Sequence, residues 1–358
     1  MSSPLILSLD AMGGDFAPTI VIEGADHFLK GRRRAVRFLL HGDEAEIGPL
    51  LDRHPAVKAV SELRHTDSKV DMSAKPSEAV RRSRGSSMWN AVHAVKDGEA
   101  HVTVSAGNTG ALMAISKVIL RMKPGVHRPA IAASWPIPEG FCTVLDVGAN
   151  VECTPSMLVE FAIMGEAFHR AVNGGVTPTV GLLNVGQEEL KGDERVRDAD
   201  QLLRSANLEM DYRGFIEGDD ISMGTTDVVV TDGFTGNVAL KTAEGTARLV
   251  GGFVREALTS SLTAKLGALL LRFGALDRLR SKMDPRSVNG GVFLGLNGMV
   301  VKSHGGTDGP GFATALRIAL ELADSRFLSE IEQNLARLKD AEAASEGSEP
   351  AAAKQETA

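Results

Sequence analysis

The sequence has 358 residues, of which 46 are acidic and 39 basic, and a formal net charge of −7. Because nucleic acids are bound by net basic surfaces, this charge excludes a general nucleic-acid-binding protein. Cys142 and Cys153 have neither CxxC spacing nor a nearby histidine cluster, which argues against a disulfide framework and a zinc site. The N-terminus lacks the basic region of a signal peptide, and no apolar run reaches the roughly 18 residues of a spanning helix. We therefore expect a globular protein of the cytoplasm.

Apolar runs typical of buried strands recur along the chain, and most are followed by a glycine-rich turn and a helical pattern. The first run is Leu5–Asp10, and Pro18 then opens a predicted helix that reaches about Lys30. The other predicted strands cover residues 36–41, 101–105, 141–146, 179–184, 227–231 and 299–303. This alternation predicts a mostly parallel sheet with helices on both faces, which is a three-layer αβα, Rossmann-like sandwich.

Six polar, glycine-rich loops follow predicted strands: AMGGD, SAGNTG, DVGAN, NVGQEELKG, TDGFTGN and HGGTDG. Because sheets of this kind bind ligands at the carboxyl ends of their strands, we expect the six loops to line a single crevice. The predicted phosphate- and substrate-binding residues are Asp10, Gly13, Gly14, Asp15, Ser105, Gly107, Asn108, Thr109, Gly110, Asp146, Asn150, Asn184, Asp232, Gly233, Thr235, Gly236, His304 and Gly305. Turn formation by Asp10 and Asp15, and a purely structural His304, are the plainer alternatives.

Two of these turns resemble each other, VTVSAGNTGALM at 102–113 and VVVTDGFTGNVAL at 228–240. In each, a valine-rich strand leads through Ser or Thr and two spaced glycines into a helix. Glycines let backbone N–H groups face a ligand, and the helix start adds unpaired N–H groups, so both turns suit an anion. Ordinary strand-to-helix turns with a capping threonine are the alternative. Neither turn is a Walker A motif or a GxGxxG dinucleotide fingerprint.

The sequence contains no GxSxG elbow and no HExxH motif, so it signals neither a nucleophilic serine nor zinc-dependent hydrolysis. The loops are rich in hydrogen-bond donors and lack an obvious nucleophile. This inventory favours direct reaction between two positioned substrates, without a covalent enzyme intermediate. Lys191 is placed to neutralise a phosphate or a leaving thiolate, although a solvated surface lysine is the commoner reading. Asn237 stands near a helix start, where an N-cap role is the alternative.

The segment at 258–283 combines leucines at helical spacing with an excess of positive charge. An amphipathic basic helix of this kind lies at a membrane interface or docks an acidic protein, while a core or dimer-interface helix is equally compatible with the pattern. Its predicted membrane or carrier-protein contacts are Leu266, Leu269, Leu270, Arg272, Phe273, Arg278 and Arg280. Residues 339–358 lack apolar periodicity and are predicted to form a disordered tail.

Seven motifs occur in an order that resembles the bacterial phosphate acyltransferase family of phospholipid synthesis (PlsX). The resemblance covers residues 5 to about 335. The motifs are DAMGGD at 10–15, SSMWNAVHAVKDGEAHVTVSAGNTGALMA at 86–114, LDVGAN at 145–150, GLLNVGQEELKG at 181–192, FIEGDDI at 215–221, DVVVTDGFTGNVALKTAEG at 227–245 and VVKSHGGTDG at 300–309. One departure is at 304–307, where His-Gly-Gly-Thr stands in place of the His-Gly-Ser-Ser of many relatives.

The resemblance implies that the chain transfers a fatty acyl group from acyl-[acyl carrier protein] to inorganic phosphate. It also implies a fold like that of isocitrate and isopropylmalate dehydrogenases and the phosphotransacetylases, with a projecting helical segment. A catalytic domain at 1–338, with a helical arm at about 258–283, is expected to form a homodimer that uses no cofactor and no metal. Peripheral contact with the inner face of the cell membrane, near a glycerol-3-phosphate acyltransferase that uses the product, is expected as well.

By the same resemblance Lys191 and Asn237 are the catalytic residues. We expect phosphate on the SAGNTG turn near AMGGD, and the thioester carbonyl facing TDGFTGN. Arg81, Arg82 and Arg84, or the arginines of the arm, are candidates for docking the acidic carrier protein. Three rival functions remain: a phosphotransacetylase acting on acyl-CoA, a dehydrogenase, and a non-catalytic membrane scaffold for lipid enzymes.

Overall fold

The computed structural model describes residues 3–31, 34–173, 175–206, 208, 210–271, 274, 286, 289–325 and 327–346, with the backbone alone at 340–346. Arg272, Phe273, Arg278 and Arg280 of the predicted arm lie outside the described residues. The strands are β1 (Leu5–Asp10), β2 (Val36–Gly42), β3 (Ser61–His65), β4 (Val102–Ser105), β5 (Ala130–Ile137), β6 (Gly140–Leu145), β7 (Thr179–Leu183), β8 (Asp211–Ile216), β9 (Val228–Val230), β10 (Gly291–Leu294) and β11 (Met299–Lys302).

Helices alternate with these strands, as the sequence predicts. Their bounds are α1 (Thr19–Gly31), α2 (Glu44–Arg53), α3 (Pro55–Lys58), α4 (Pro76–Arg82), α5 (Ser87–Lys96), α6 (Thr109–Leu120), α7 (Pro155–Val172), α8 (Glu194–Ser205), α9 (Gly218–Met223), α10 (Gly233–Thr259), α11 (Leu262–Leu271), α12 (Gly309–Asp324) and α13 (Phe327–Glu346). Helix α13 continues past residue 339, so the first residues of the predicted tail are helical, while residues 347–358 lie outside the described part.

The described strands form one sheet in the order β3-β2-β1-β4-β11-β10-β5-β6-β9-β7-β8. Strands β3, β2, β1, β4 and β11 pair in parallel, and so do β6, β9, β7 and β8. Between these two blocks, β11–β10, β10–β5 and β5–β6 pair antiparallel. Three consecutive reversals leave the two parallel blocks running in opposite directions.

Apolar side chains are buried on both faces of the sheet. On β1, Leu7 and Leu9 belong to the same core as Phe312 of α12, whereas Ile6 packs with Ala94 of α5 on the opposite face. Burial on both faces explains why β1 reads as a continuous apolar run, because a half-exposed strand would alternate with polar residues. The protein is therefore a mixed α/β structure with helices on both sides of a large central sheet.

The long helix α10 and the helix α11 that follows it are almost entirely exposed or half-buried. Within Gly233–Thr259 only Gly233 and Gly236 are buried, and no residue of α11 is. Exposed apolar side chains on this pair include Leu266, Leu269 and Leu270. In the part of the chain that the structure describes, no helix is both long and apolar enough to cross a membrane.

Candidate active site

The direction of the strands divides the six predicted loops into two groups. The loops at 10–15, 105–110 and 303–309 follow β1, β4 and β11, and we call this group the Asp10 edge. The loops at 146–150, 184–192 and 231–237 follow β6, β7 and β9, and we call this group the Asp146 edge. Because the two blocks run in opposite directions, these groups lie at opposite edges of the sheet. The prediction of one crevice lined by all six loops in a single chain is therefore wrong.

The Asp10 edge is built around a buried carboxylate. Asp10 is 1% exposed, and its Oδ2 accepts a hydrogen bond from the Ser105 hydroxyl at 2.6 Å. That hydroxyl oxygen in turn accepts from the backbone N–H of Gly107 at 3.0 Å. Asp10 Oδ1 is also buried and has no hydrogen-bond partner among the described residues. Burial raises the pKa of Asp10, and the hydrogen bond from Ser105 and the charge of Lys302 oppose the rise.

Glycines allow the loops of this edge to approach each other. A Cβ atom at Gly13 would collide with the Asp10 carboxylate, and Gly14 has a φ of +110°. The backbone N–H of Asp15 donates to the Gly305 carbonyl at 3.0 Å, which joins AMGGD to the loop after β11. The structure therefore brings three of the predicted loops together, as expected for this group.

Lys302 is a charged residue of this edge that the sequence reasoning did not single out. It ends β11 with 9% of its surface exposed, and its ammonium donates to the carbonyls of Ala106, at 3.3 Å, and of Ser303. Burial lowers the pKa of Lys302 to about 8, against the attraction of Asp10 and Asp15, which raises it. The sequence did contain a signal for this residue, which is a lysine directly after the apolar run MVV. Because lysine is rarely buried without a partner, a lysine at the end of a buried strand indicates a partnered charge.

Replacing Lys302 with methionine is expected to change how stability depends on pH. The folded-state pKa of about 8 lies below the ordinary value of 10.5, so between these pH values the unfolded chain binds more protons than the folded one. The free energy of unfolding of the wild type should therefore rise relative to that of Lys302→Met by on the order of 3 kcal/mol as the pH rises through this window. Urea unfolding of both proteins at pH 7 and pH 10.5 measures this, and a constant difference would contradict it.

Among the other predicted residues of the Asp10 edge, Asn108 holds its loop in place. Asn108 is the N-cap of α6, where its Oδ1 accepts from the N–H of Ala111, and its Nδ2 donates to the carbonyls of Met72 and Ala74. Thr109 is exposed at the helix start, with Gly110 next to it half-buried. Asn108 therefore has a clear structural role.

The loop after β11 is held by a residue that the sequence analysis missed. The Asn289 amide nitrogen donates to the Ser303 and Thr307 hydroxyls and to the Gly311 carbonyl, and its oxygen accepts from the N–H of His304. The His304 side chain is exposed, and its Nδ1 accepts from the N–H of Gly306 at 3.1 Å. No motif around Asn289 indicated this role, which depends on packing across the loop.

The Asp146 edge contains a second buried carboxylate with a different role. Asp146 is fully buried and accepts hydrogen bonds from the backbone N–H groups of Ile131, Gly148, Ala149 and Asn150 and from the Asn150 side chain. Burial raises the pKa of Asp146, and these hydrogen bonds oppose the rise. Because both carboxylate oxygens already have partners, Asp146 shapes the DVGAN turn.

The TDGFTGN turn packs directly on DVGAN. Asp232 is the N-cap of α10, where it accepts from the N–H and the hydroxyl of Thr235. The N–H of Gly233 donates to the Asn150 carbonyl at 2.7 Å, and a Cβ atom at Gly236 would collide with the Asp146 carbonyl oxygen. The Thr235 hydroxyl therefore donates its hydrogen bond to the N-cap residue Asp232.

Asn237 lies in the first turns of α10 and is exposed. A Cβ atom at Gly148 would lie 3.6 Å from the Asn237 side chain, so the amide stands over the DVGAN turn. Since Asp232 caps the helix, the alternative that Asn237 is only an N-cap is wrong. Its side chain is therefore available to a ligand at this edge.

Lys191 lies in the loop that follows β7. Its ammonium is paired with Glu188 at 2.7 Å, and 54% of its side chain is exposed. The pairing with Glu188 raises the pKa of Lys191, so the charge is retained at neutral pH. Asn184 orders the loop, because its amide donates to the carbonyls of Gly186 and Lys191. Asn184 holds the loop, and the lysine charge remains exposed at the same edge as Asn237.

A cleft of about 1040 Å³ opens beside the DVGAN turn. Its lining includes His127, Arg128, Asn150, Cys153 and Arg195. Asp232 and Glu152 act electrostatically on Arg195, which places this cleft next to the start of α10. The Asp146 edge thus offers a polar surface with space beside it.

The chain is similar in sequence to known proteins over more than nine tenths of its length. The model of the family described as "Fatty acid synthesis protein" matches residues 5–330. A phosphate acyltransferase of Maricaulis maris is 68% identical over 330 residues, which cover 92% of this chain and 94% of the relative. A phosphate acyltransferase of Caulobacter vibrioides is 60% identical over 338 residues, which cover 94% and 93%.

Among solved structures, the EutD phosphotransacetylase from Staphylococcus aureus superposes with a TM-score of 0.60 at 17% identity, covering 89% of this chain and 94% of that one. A putative 4-hydroxythreonine-4-phosphate dehydrogenase from Salmonella typhimurium gives 0.52 at 12% identity, covering 90% and 100%. At these identities the likeness concerns the fold alone. With the family match over residues 5–330, the chain belongs to the fatty acid synthesis protein family, in which its curated relatives are phosphate acyltransferases.

Proposed function

We propose that this chain transfers a fatty acyl group from acyl-[acyl carrier protein] to inorganic phosphate, releasing acyl phosphate for phospholipid synthesis. The observation that carries the proposal is the 68% identity to a phosphate acyltransferase over 330 residues. A phosphate oxygen attacks the thioester carbonyl carbon, the carbon–sulfur bond of the tetrahedral intermediate breaks, and the carrier's thiolate leaves and takes up a proton. The acyl group passes directly to phosphate.

The two cysteines support this direct transfer. Cys142 and Cys153 are buried, and burial raises the pKa of each thiol to about 12. Only thiolates are good nucleophiles, so neither side chain is suited to forming an acyl-enzyme. This agrees with the absence of a GxSxG motif from the sequence, and it leaves phosphate itself as the attacking group.

We assign phosphate to the Asp10 edge. Lys302 supplies positive charge, and the start of α6 adds backbone N–H groups. The ammonium is buried at only 9% exposure, and charges interact more strongly in such surroundings than in water. These groups together suit a multiply charged anion.

In this proposal the thioester lies at the Asp146 edge of the second subunit of the expected homodimer, because the two edges of one chain lie on opposite sides of the sheet. The exposed amide of Asn237 is suited to donate to the oxyanion that develops on the carbonyl oxygen. Lys191 is suited to balance the charge of the departing thiolate, because its ammonium is charged and exposed. The cleft beside Asn150 offers room for the carrier's acyl-bearing arm.

For the acidic carrier protein we propose docking on Arg81, Arg82 and Arg84, which are exposed. Helix α4, which holds the first two, packs on α6 beside the Asp10 edge. A carrier protein docked there would lie close to the phosphate proposed at the Asp10 edge. Charge complementarity between the acidic carrier and these arginines would increase the rate of association.

The test uses purified protein, palmitoyl-[acyl carrier protein] and radioactive phosphate. Labelled acyl phosphate is the expected product, and its absence under conditions in which the protein is folded would refute the proposal. Palmitoyl-CoA in a parallel reaction decides between the carrier thioester and the phosphotransacetylase alternative. Faster turnover of the CoA thioester would favour that alternative.

We also propose peripheral membrane contact through α11. Leu266, Leu269 and Leu270 are 61%, 54% and 77% exposed, and such side chains gain free energy on entering a lipid interface. Replacing all three with serine should abolish co-sedimentation with anionic liposomes while acyl-phosphate formation in solution persists. Unchanged sedimentation would remove α11 from the contact, and loss of both properties would point to misfolding.

A further inference from the structure

The cleft beside the DVGAN turn has an excess of positive charge, although the formal net charge of the chain is −7. Its charged or titratable lining residues are His127, Arg128, Glu152 and Arg195. Glu152 attracts Arg195, which is also paired with Asp193 at 2.9 Å. Arg195 is therefore balanced by neighbouring acids, and Arg128 is the second arginine of the cleft.

Arg128 is exposed, and its side chain has no hydrogen-bond or ion-pair partner in the described part of the chain. A guanidinium group is always charged and offers five N–H donors in a planar arrangement that fits carboxylates and phosphates. An arginine that lines a cleft without such a partner is free to bind an anionic ligand.

The backbone on either side of Arg128 is held in place. Before it, the N–H of His127 donates to Glu160 at 2.9 Å, and the His127 ring is hydrogen-bonded to the same carboxylate. After it, the Pro129 carbonyl accepts from the side-chain amide of Asn150 at 2.8 Å. Glu160 and Asn150 are both buried. An anion that binds the guanidinium therefore has little backbone to order, which favours its affinity.

The cleft lies at the edge where the thioester is proposed to bind. The Asn150 carbonyl accepts from the N–H of Gly233 at 2.7 Å, and Gly233 and Asn237 both lie at the start of α10. Arg195 lies at the start of α8, directly after the loop that contains Lys191. The cleft is thus next to both proposed catalytic residues.

The thioester substrate carries an anion that such a cleft suits. In an acyl carrier protein the acyl group is attached to a pantetheine arm, and a phosphate ester joins that arm to the protein. Ala149, Val151 and Met157 also line the cleft, and their apolar surfaces suit the methyl groups of the arm. The phosphate ester requires a cation instead.

We propose that the cleft binds the pantetheine arm and that Arg128 binds the phosphate ester at the end of the arm. This rests on the proposed function, and the shared ligand chemistry is a pantetheine phosphate, which CoA also carries. The phosphate ester lies at the far end of the arm from the thioester, and its charge does not change during acyl transfer. Arg128 should therefore lower KM for the thioester and leave kcat unchanged.

The test compares octanoyl-phosphopantetheine with octanoyl-pantetheine, which lacks only the phosphate, in acyl transfer to inorganic phosphate. The wild type should use the phosphorylated thioester with a kcat/KM about tenfold higher, because a hydrogen bond to a charged group contributes about this factor. In Arg128→Ala the preference should disappear through a higher KM for the phosphorylated thioester. The kcat and the reaction of octanoyl-pantetheine should stay unchanged. Arg128→Lys, which keeps the charge, should retain part of the preference.

The matched control is Arg213→Ala. Arg213 is 58% exposed and paired with Asp211, near the start of β8 and so away from the Asp146 edge, where β8 ends. This variant should keep the wild-type preference for the phosphorylated thioester. An equal loss of preference in Arg213→Ala and Arg128→Ala would show an unspecific effect of surface charge and contradict the proposal.

Three other results would overturn the proposal. Equal kcat/KM for the two thioesters in the wild type would show that the phosphate of the arm is not recognised. Equal losses with both thioesters in Arg128→Ala would give this residue a structural role, which circular dichroism would verify. A higher KM for inorganic phosphate, with the thioester preference unchanged, would make the cleft a site for inorganic phosphate.

The source of the bound phosphate is decided by the full-size substrates. A higher KM of Arg128→Ala for octanoyl-[acyl carrier protein] would assign the site to the arm of the carrier, and a higher KM for octanoyl-CoA alone would assign it to CoA. A wild-type protein that makes acyl phosphate from none of these thioesters would refute the proposed function itself. A wild type that is active but indifferent to the arm phosphate would refute only the role of Arg128.

Discussion

Replacing Lys191 with alanine is expected to lower kcat for acyl-phosphate formation by more than about tenfold while the fold stays intact. A tenfold loss corresponds to about 1.4 kcal/mol of transition-state stabilisation, which is modest for a charge that faces a developing thiolate. The fold should not change, because the side chain is 54% exposed and, among the described residues, its ammonium forms an ion pair only with Glu188 of the same loop. Steady-state kinetics and circular dichroism measure the two parts of the expectation.

The chain offers a close control for this substitution. Lys58 is paired with Asp52 at 2.7 Å and is 60% exposed, which matches the surroundings of Lys191 almost completely, but it lies on α3 away from both edges. Lys58→Ala should therefore leave kcat unchanged, since an exposed ion pair contributes little to stability. Wild-type turnover in Lys191→Ala would remove this lysine from the mechanism.

Gly236→Ala is expected to destabilise the protein and to reduce turnover together. The added Cβ would collide with the Asp146 carbonyl oxygen and lie 3.0 Å from Thr231, so the start of α10 has to move off the DVGAN turn. Forcing atoms into a packed site costs about 1–3 kcal/mol. Activity should fall as well, because Asn237 moves with the helix. Urea denaturation and kinetics of the purified variant test both effects.

Gly245→Ala is the control in the same helix. A Cβ at Gly245 would meet no described atom within 4 Å, so the gain in helix propensity is unopposed. The variant should be more stable than the wild type by about 0.5–1 kcal/mol. If Gly236→Ala were as stable as Gly245→Ala, the close approach between α10 and the DVGAN turn would be disproved.

The strands that form long apolar runs can be predicted from the sequence, whereas two of the three strands that reverse the sheet, β5 and β10, cannot. All seven predicted strands are present, because burial on both faces makes β1 and its neighbours uniformly apolar. Strand β10 has four residues and β5 contains Pro136, so neither gave a clear signal. Yet these two strands, with β6, reverse the sheet, and that reversal depends on pairings between residues far apart in sequence.

The same limit applied to the candidate site. The motifs identified residues that are grouped in space, such as Asp10 with Ser105 and Asp146 with Gly233. They did not show that the groups are separate, since a loop's motif does not record which way its strand points. Lys302 was missed because what distinguishes this lysine is its burial. That burial depends on the pairing of β4 with β11, which the sequence pattern does not show.

The number of donors around Asp146 has a consequence for how substrates bind. Five N–H groups converge on this one side chain, so the conformation of the turn is decided when the protein folds. An arriving thioester then meets a surface that is already in its final shape, and little of its binding free energy is used to order the polypeptide. Affinity at that edge should accordingly reflect the contacts of the substrate itself.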